Sequence, residues 1–254
     1  NALNVTVVSQ LGDVLDDLNS REDVSTIVLE GAGKAFVAGA DVKFFVDMIE
    51  QDSFHKVYDF TADGHDVFNA IESSTKTTIA MTTGLALGGG LELALACDYR
   101  VGTEKTMLRF PETSIGIFPG LGGTQRATRV CGIEAARFAV LAGNFLDAGA
   151  ARALGLITHL VGASEVTSTV LGLSSEGKPE DKYPGSPSDP SHPVAAMSKA
   201  FYSDSNMPSL LSGEAPDGFD PEDRNVARQL KSLSRAAPVS VRIASELLDK
   251  ALVT

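Results

Sequence analysis

The sequence predicts an α/β fold, and three features of the chain support this. Short β-branched apolar runs alternate with amphipathic stretches of helical length over about the first 160 residues. Many of the 24 glycines fall between apolar segments in one part of the chain, at positions 84, 88, 89, 90, 102, 116, 120, 122 and 123. From about residue 174 the composition turns rich in proline and serine. We therefore expect a core unit over residues 1–173 that holds the active site, and an arm followed by a helical region over residues 174–254.

The individual elements follow from periodicity and local composition. Leu3, Val7, Leu11 and Leu15 recur at helical spacing, which predicts an amphipathic helix. Short runs of β-branched apolar residues predict buried strands. The predicted elements are a helix over 3–19, a strand over 24–29, helices over 42–50 and 54–73, a strand over 77–82, a buried helix over 91–97, helices over 132–141 and 147–154, a strand over 156–161 and a last helix that starts at Pro238.

The segment over residues 174–222 differs in composition from the rest. It contains prolines at positions 179, 184, 187, 190, 193, 208, 216 and 221, and its acidic residues outnumber its lysines. Such a composition is typical of chain that buries little apolar surface. We therefore expect a linker or an extended surface arm there.

Charge and cysteine content exclude several classes of protein. The formal net charge is -12, from 21 Lys and Arg against 33 Asp and Glu, so a long basic stripe for nucleic acid is not expected. No apolar run approaches the roughly 20 residues that span a bilayer. Cys97 and Cys131 form no C-x-x-C pair, and two cysteines do not make a disulfide framework. These features predict a cytoplasmic protein, or one of the mitochondrial matrix in a eukaryote.

Two glutamates are candidates for proton transfer. Glu92 follows three glycines and starts an apolar run, where a carboxylate would also simply complement the dipole of a helix. Glu112 lies between a short apolar run and a glycine-rich loop, where it could equally be a solvated turn residue. Neither position is informative alone. Together, flanked by glycine-rich backbone, the two could form a general acid/base pair.

The backbone offers a second candidate. The segment Ala38-Gly39-Ala40-Asp41 follows the first predicted strand and precedes a helix, and Gly88-Gly89-Gly90 does the same after the second strand. Two such turns can direct N–H groups at one point, which is how an oxyanion hole is built. The alternative is that these glycines only permit tight packing.

Other chemistries lack their residues. Gly31-Ala32-Gly33-Lys34-Ala35 is similar to the end of a phosphate-binding P-loop, but Val28 stands where the first glycine belongs and Ala35 replaces the Ser or Thr. No G-x-S-x-G nucleophile elbow occurs. The four histidines lack the spacing of metal ligands, so no metal site is expected.

Three segments together resemble the crotonase (enoyl-CoA hydratase/isomerase) superfamily. They are Gly33-Lys34-Ala35-Phe36-Val37-Ala38-Gly39-Ala40-Asp41, Leu87-Gly88-Gly89-Gly90-Leu91-Glu92-Leu93-Ala94, and Phe110-Pro111-Glu112 followed by Gly116-Ile117-Phe118-Pro119-Gly120-Leu121-Gly122-Gly123-Thr124-Gln125-Arg126. Their order and spacing also agree, and the resemblance covers roughly residues 1–162. It implies a crotonase-like spiral of repeated ββα units with a helical C-terminal region.

The resemblance implies an enoyl-CoA hydratase, which adds water to a trans-2-enoyl-CoA. It assigns the oxyanion hole to the N–H groups of Ala40 and Gly89, and the acid/base pair to Glu92 and Glu112. Family isomerases typically keep only the carboxylate matching Glu112, so both glutamates favour hydration. An isomerase, a thioester hydrolase and a non-catalytic acyl-CoA-binding relative stay open as alternatives. The expected contacts with substrate or coenzyme A are Lys34, Ala38, Gly39, Asp41, Gly88 and Gly120.

The resemblance also carries expectations about partners. No cofactor is expected beyond the coenzyme A of the substrate. A homotrimer or a dimer of trimers is implied, as is fusion to or association with a 3-hydroxyacyl-CoA dehydrogenase, although this chain has no G-x-G-x-x-G motif. Family members have a strand or hairpin before the segment that matches Asn1. The chain is therefore expected to be part of a longer one.

Overall fold

The computed structural model describes residues 1–252, so positions 253 and 254 of the predicted 174–254 region lie outside the described residues. The strands are β1 (Thr26–Glu30), β2 (Ala35–Val37), β3 (Thr77–Thr82), β4 (Leu85–Leu87), β5 (Tyr99–Gly102), β6 (Met107–Arg109), β7 (Leu146–Asp147) and β8 (His159–Leu160). The helices are α1 (Val5–Ser20), α2 (Val42–Glu50), α3 (Phe54–Ser73), α4 (Gly89–Ala96), α5 (Gly123–Cys131), α6 (Ile133–Leu141), α7 (Ala148–Ala153), α8 (Val166–Glu176), α9 (Pro193–Phe201), α10 (Met207–Leu211), α11 (Arg224–Arg235) and α12 (Pro238–Lys250).

Successive strands enter two different sheets, in the orders β1-β3-β5-β8 and β2-β4-β6-β7. Neighbouring strands are parallel except for β6 and β7, which are antiparallel. Each unit therefore places one strand in each sheet before its helix returns, which is the expected spiral of ββα units. Gly84 makes the step from β3 to β4 possible, because a Cβ there would lie 2.3 Å from the carbonyl oxygen of Lys34.

Helix α4 lies at the centre of the molecule, and all of its eight residues are buried. Phe68 and Ile71 of α3 are buried in the same hydrophobic cluster, which extends from Leu3 near the N-terminus to Leu248 in α12. A helix that is apolar on every side has to be enclosed on every side. The core therefore continues across position 173, and the C-terminal helices supply part of its wall.

Most predicted elements of the core unit are confirmed, and α2, α3 and β3 have the predicted bounds. Helix α1 starts at Val5 because the Asn4 side chain accepts a hydrogen bond from the N–H of Val7. Leu3 forms an isolated bridge with Ala40 instead of joining the helix. The predicted strand over 156–161 is reduced to β8, because the N–H groups of Leu156 and Ile157 turn back to the carbonyl of Ala151.

The segment over residues 174–222 differs from the expected linker or arm. Residues 178–192 contain no helix or strand, but α9 and α10 follow them. Phe201 and Tyr202 are fully buried, and the ring of Phe201 packs edge-on against Phe219 at 5.1 Å. The average composition of the segment did not predict this packing. A few large aromatic side chains bury enough surface to order a segment that is polar on average. No helix within residues 1–252 has the length and apolar character needed to cross a membrane.

We predict that Phe201→Ala destabilises the fold by about 3–5 kcal/mol, because it leaves a cavity in a closed core. Phe54→Ala is the matched control, since the Phe54 side chain is 57% exposed. The free energy of unfolding in urea measures both. Equal, small effects would mean that the 174–222 segment does not pack on the core as described.

Candidate active site

Glu92 is held in the first turn of α4 by backbone on two sides. The helix starts after Gly88, whose φ of 50° and ψ of -123° favour glycine. A Cβ at Gly90 would lie 2.1 Å from the carbonyl oxygen of Val37, so α4 touches the end of β2 through bare backbone. The Glu92 residue is 2% exposed, and its Oε1 accepts hydrogen bonds from the N–H groups of Leu121 at 2.7 Å and Gly123 at 2.8 Å.

Glu112 approaches the same place from the end of β6. It starts the 3-10 helix Glu112–Ile115 and is 6% exposed. A Cβ built on Gly88 would lie 2.6 Å from Glu112 Oε1, so this carboxyl lies against the turn that starts α4. Oε2 of Glu112 is buried and has no hydrogen-bond partner among residues 1–252. A buried carboxyl oxygen without a partner is uncommon, and it leaves this oxygen available to a ligand.

The two carboxyls influence each other's protonation. Burial raises the pKa of Glu92 to about 7, although the N–H groups of Leu121 and Gly123 and the charge of Arg126 act in the opposite direction. Burial also raises the pKa of Glu112 well above its ordinary value, and the negative charge of Glu92 adds to this effect. Two such groups release their protons as a pair. Near neutral pH, the pair can therefore hold one proton between them.

The two predicted oxyanion amides lie close together. Leu3 bonds to the carbonyl of Gly39 and the N–H of Asp41, so the N–H of Ala40, between them, points away from Leu3. A Cβ built on Gly89 would lie 3.8 Å from the nitrogen of Ala40. Neither the Ala40 nor the Gly89 N–H has a hydrogen-bond acceptor within the described chain. Two adjacent free donors beside two buried carboxyls can hold a carbonyl oxygen.

The residues predicted to contact the substrate or coenzyme A lie at different distances from the two amides. Gly39, Gly88 and Gly120 adjoin the amides and the loop that holds Glu92, and Ala38 is exposed beside them. The Asp41 carboxylate caps α2 by accepting from the N–H of Lys43 at 3.1 Å, which is a structural role. Lys34 is exposed and lies just before β2, whereas Ala40 lies after it. The three residues of β2 therefore separate Lys34 from the Ala40 amide by about 10 Å.

The sequence reasoning missed the groups that hold Glu92. They are the N–H groups of Leu121 and Gly123, with Arg126 behind them. The signal was present in the glycine-rich segment ahead of α5, where Gly122 has a φ of 91°. A Cβ at Gly123 would lie 2.8 Å from Glu92 Oε1, so a side chain there would collide with the carboxyl.

Cavities elsewhere do not include the glutamates. One of about 570 Å³ runs along the exposed side of α11, and another of about 500 Å³ lies between α9, α11 and β7. Neither is lined by Glu92 or Glu112. Both carboxyls are buried, so donors fixed beside them interact more strongly with charge than they would in water.

A spiral of ββα units that encloses two carboxyls beside two free backbone amides is the crotonase fold. The chain belongs to the enoyl-CoA hydratase/isomerase family, whose model matches residues 1–253.

Individual relatives agree with this assignment. A probable enoyl-CoA hydratase of Mycobacterium bovis is 36% identical over 166 residues, which cover 65% of this chain and 62% of the relative. The fatty acid oxidation complex subunit alpha of Psychrobacter cryohalolentis is 35% identical over 173 residues, which are 24% of its length. The crystal structure of an enoyl-CoA hydratase from Rhodobacter sphaeroides superposes with a TM-score of 0.80 at 21% identity, over 98% of this chain and 72% of that one. The chain thus matches less than two thirds of the length of its curated relatives, whereas the fold extends through its C-terminal region.

We predict that Glu112→Gln stabilises the protein more at pH 8 than at pH 5. A folded-state pKa above the unfolded value means that stability is present at low pH and is lost as pH rises through the folded pKa. The amide avoids this loss, so its advantage should grow by on the order of 1–3 kcal/mol. Chemical unfolding at both pH values measures this.

Glu104→Gln, on an exposed turn, controls for the amide substitution itself. The explanation fails if Glu112→Gln has the same effect on stability at pH 5 and pH 8.

Proposed function

We propose that the chain hydrates trans-2-enoyl-CoA thioesters to 3-hydroxyacyl-CoA. One observation carries the proposal: two buried carboxyls, Glu92 and Glu112, lie beside two backbone N–H groups, at Ala40 and Gly89, that have no acceptor within the described residues. Hydration needs a stabilised thioester enolate, removal of a proton from the attacking water, and delivery of a proton to the α-carbon. This site has a group for each task.

The N–H groups of Ala40 and Gly89 bind the thioester carbonyl oxygen. Negative charge develops on this oxygen when water attacks the β-carbon. Donors fixed before the reaction stabilise that charge without reorganising, and a single one typically contributes about 10²–10³ in rate. The buried position of Gly89 strengthens the interaction, because water does not compete for it there.

The carboxyl pair handles the proton balance. The ionised carboxylate takes a proton from the attacking water, whose oxygen bonds to the β-carbon. The protonated carboxyl gives its proton to the α-carbon, so the pair ends with the proton count with which it started. Glu92 is fixed by Leu121 and Gly123, and the unpartnered Oε2 of Glu112 is free to hold the water.

The remaining proposed contacts are with the parts of the substrate beyond the thioester carbonyl. The backbone at Ala38, Gly39, Gly88 and Gly120 adjoins the amides and is suited to the acyl and pantetheine portions. Lys34 is the predicted contact for a phosphate of coenzyme A, and its distance from the amides fits a group remote from the reacting carbons. The proposed reaction needs no cofactor beyond the coenzyme A that the substrate carries.

A double-bond isomerase is the second candidate. Oε2 of Glu112 has no hydrogen-bond partner among residues 1–252, and one such carboxyl can carry a proton between the α- and γ-carbons. Glu92 would then serve only to organise the loop at Leu121. Substitution of Glu92 separates the two functions, because only hydration uses both carboxyls.

We also propose a biological context for the chain. The similarity to a fatty acid oxidation complex subunit supports a role in β-oxidation and a link with a 3-hydroxyacyl-CoA dehydrogenase. A homotrimer or dimer of trimers and a cytoplasmic or matrix location remain proposals that follow from the family resemblance.

We predict that Glu92→Gln and Glu112→Gln each lower kcat for crotonyl-CoA hydration by at least about 10²-fold, because each removes one proton-transfer group. The loss of enoyl-thioester absorbance measures turnover, and thermal unfolding verifies the fold. Glu104→Gln is the control. The assay should include the longest polypeptide that carries this chain.

If hydration survives Glu92→Gln but not Glu112→Gln, Glu92 is not a proton-transfer group, and isomerisation of a 3-enoyl thioester by Glu112 alone becomes the favoured function. A folded parent chain that turns over neither 2-enoyl nor 3-enoyl thioesters would leave a binding role.

We predict a bell-shaped pH dependence of kcat/KM. The pair works with one proton, so activity should rise with pH through about 7, where Glu92 loses its proton, and fall again as Glu112 ionises. Rates from pH 5 to pH 10 measure both limbs. A flat profile over that range would be inconsistent with a shared proton.

A further inference from the structure

The loop that holds Glu92 is itself held from behind by Arg126. Nη1 of Arg126 donates to the carbonyl of Leu121 at 2.9 Å, while the N–H of Leu121 donates to Oε1 of Glu92. The side chain of Arg126 is 4% exposed. One peptide segment therefore separates a buried guanidinium from a buried carboxyl.

Two glycines allow the loop between Glu92 and Arg126 to contact both side chains closely. A Cβ at Gly123 would lie 2.8 Å from Glu92 Oε1, and a Cβ at Gly122 would lie 2.2 Å from Arg126 Nη1. The loop is thus in contact with Glu92 on one side and with Arg126 on the other. Any shift of the guanidinium has to move the amides that bind the carboxylate.

Arg126 is in turn oriented by α3 and by the segment before α9. Its Nε donates to Glu72 Oε2 at 2.8 Å, and its Nη2 lies 2.6 Å from the same oxygen. Nη2 also donates to Asn69 at 2.8 Å. The hydroxyl of Tyr183 donates to the other oxygen, Glu72 Oε1, at 2.6 Å. Two nitrogens of the guanidinium thus contact one oxygen of Glu72, while the other oxygen accepts from Tyr183, so that charge-assisted hydrogen bonds restrain Arg126.

The Tyr183 ring is held next to α4, the helix that carries Glu92. Its neighbour Lys182 donates to the carbonyl of Ala96, the last residue of α4, at 2.7 Å, and lies 3.3 Å from the buried carboxylate of Asp98. Arg129 lies over the ring at 5.9 Å. The 178–192 segment, which has no helix or strand, thus contacts the last residue of α4 through Lys182 and the Glu72–Arg126 pair through Tyr183.

We propose that Arg126, Glu72 and Tyr183 form a positioning network that sets the location and charge state of Glu92, and that residues 178–192 support the active site through it. None of the three contacts the substrate in the proposed reaction. The inference rests on the proposed hydratase for its kinetic readout, but not for its structural one.

The charges that face Glu92 agree with this role. Arg126 in α5 is the charged group that acts on the pKa of Glu92, and the charge of Glu92 in turn raises the pKa of Glu112. Arg126 lowers the pKa of Glu92 against the effect of burial. Glu72 stays ionised because its bonds with Tyr183 and Arg126 outweigh the effect of burial, so that its pKa is lowered. The ionised Glu72 in turn holds the guanidinium in place.

The test compares Arg126→Gln and Tyr183→Phe with matched variants outside the network. Arg137→Gln removes another buried arginine, which pairs with Asp249 at 2.7 Å. Tyr202→Phe removes another buried hydroxyl, which donates to Gln229 at 3.1 Å. Kinetics on crotonyl-CoA, pH profiles and thermal unfolding are measured for all four.

We expect kcat to fall about 10- to 100-fold in Arg126→Gln, because small displacements of catalytic groups have effects of this size. In Tyr183→Phe it should fall about threefold, because one hydrogen bond to Glu72 is lost while the contacts between Glu72 and Arg126 remain. KM should stay within about twofold, and the acidic limb of the Arg126→Gln profile should move to higher pH. The controls should leave kcat and the pH profile unchanged, whatever their effect on stability.

Kinetics of the two network variants equal to those of their controls would overturn the proposal. If Arg126→Gln does not fold, Tyr183→Phe against Tyr202→Phe decides the question. If the parent shows no hydration, the proposed function fails, and carbon-13 NMR titration of the Glu92 carboxyl judges the network. Its pKa should rise in Arg126→Gln and not in Arg137→Gln, and an equal pKa in both would reject the network.

Discussion

The burial of Glu92 beside Glu112 is the constraint on which the rest of the structure depends. A carboxylate without water or a cation is costly, and a second one next to it increases the cost. The protein responds with the N–H groups of Leu121 and Gly123, with Arg126 one peptide away, and with pKa values raised so that a proton can be shared. A site that keeps a proton near neutral pH is the kind of site that proton transfer to and from carbon requires.

This arrangement explains why bare backbone surrounds the site. At Gly88, Gly90 and Gly123 an added Cβ would meet Glu112, the carbonyl of Val37 or Glu92 at less than 3 Å. The glycines therefore serve close approach rather than flexibility. Because α4 is buried on every side, the sheets, α3 and α5 must all pack around it, and the position of one carboxyl sets the spacing of several elements.

The C-terminal region completes the enclosure. Helix α12 contacts α5 and α6, and the N–H of Ala237 bonds to the carbonyl of Thr113, next to Glu112. Tyr183 and Lys182 reach the back of the same site from a segment that has no helix or strand. A region with the composition of a linker thus contributes to the site through a few well-placed side chains, which average composition does not reveal.

The sequence by itself determined the class of fold and most helices of the core unit, because periodicity is a local property. Its resemblance to the crotonase superfamily also predicted Glu92, Glu112, Ala40 and Gly89 as the site residues. It did not reveal the amides that bind Glu92 or the burial of Phe201. Only the tertiary structure decided these features and the link from Tyr183 to Arg126. The bonds to Glu92 join positions 29 and 31 residues apart, and Tyr183 lies 111 residues from Glu72. Local patterns specify which surfaces a segment offers, whereas packing decides which of them meet.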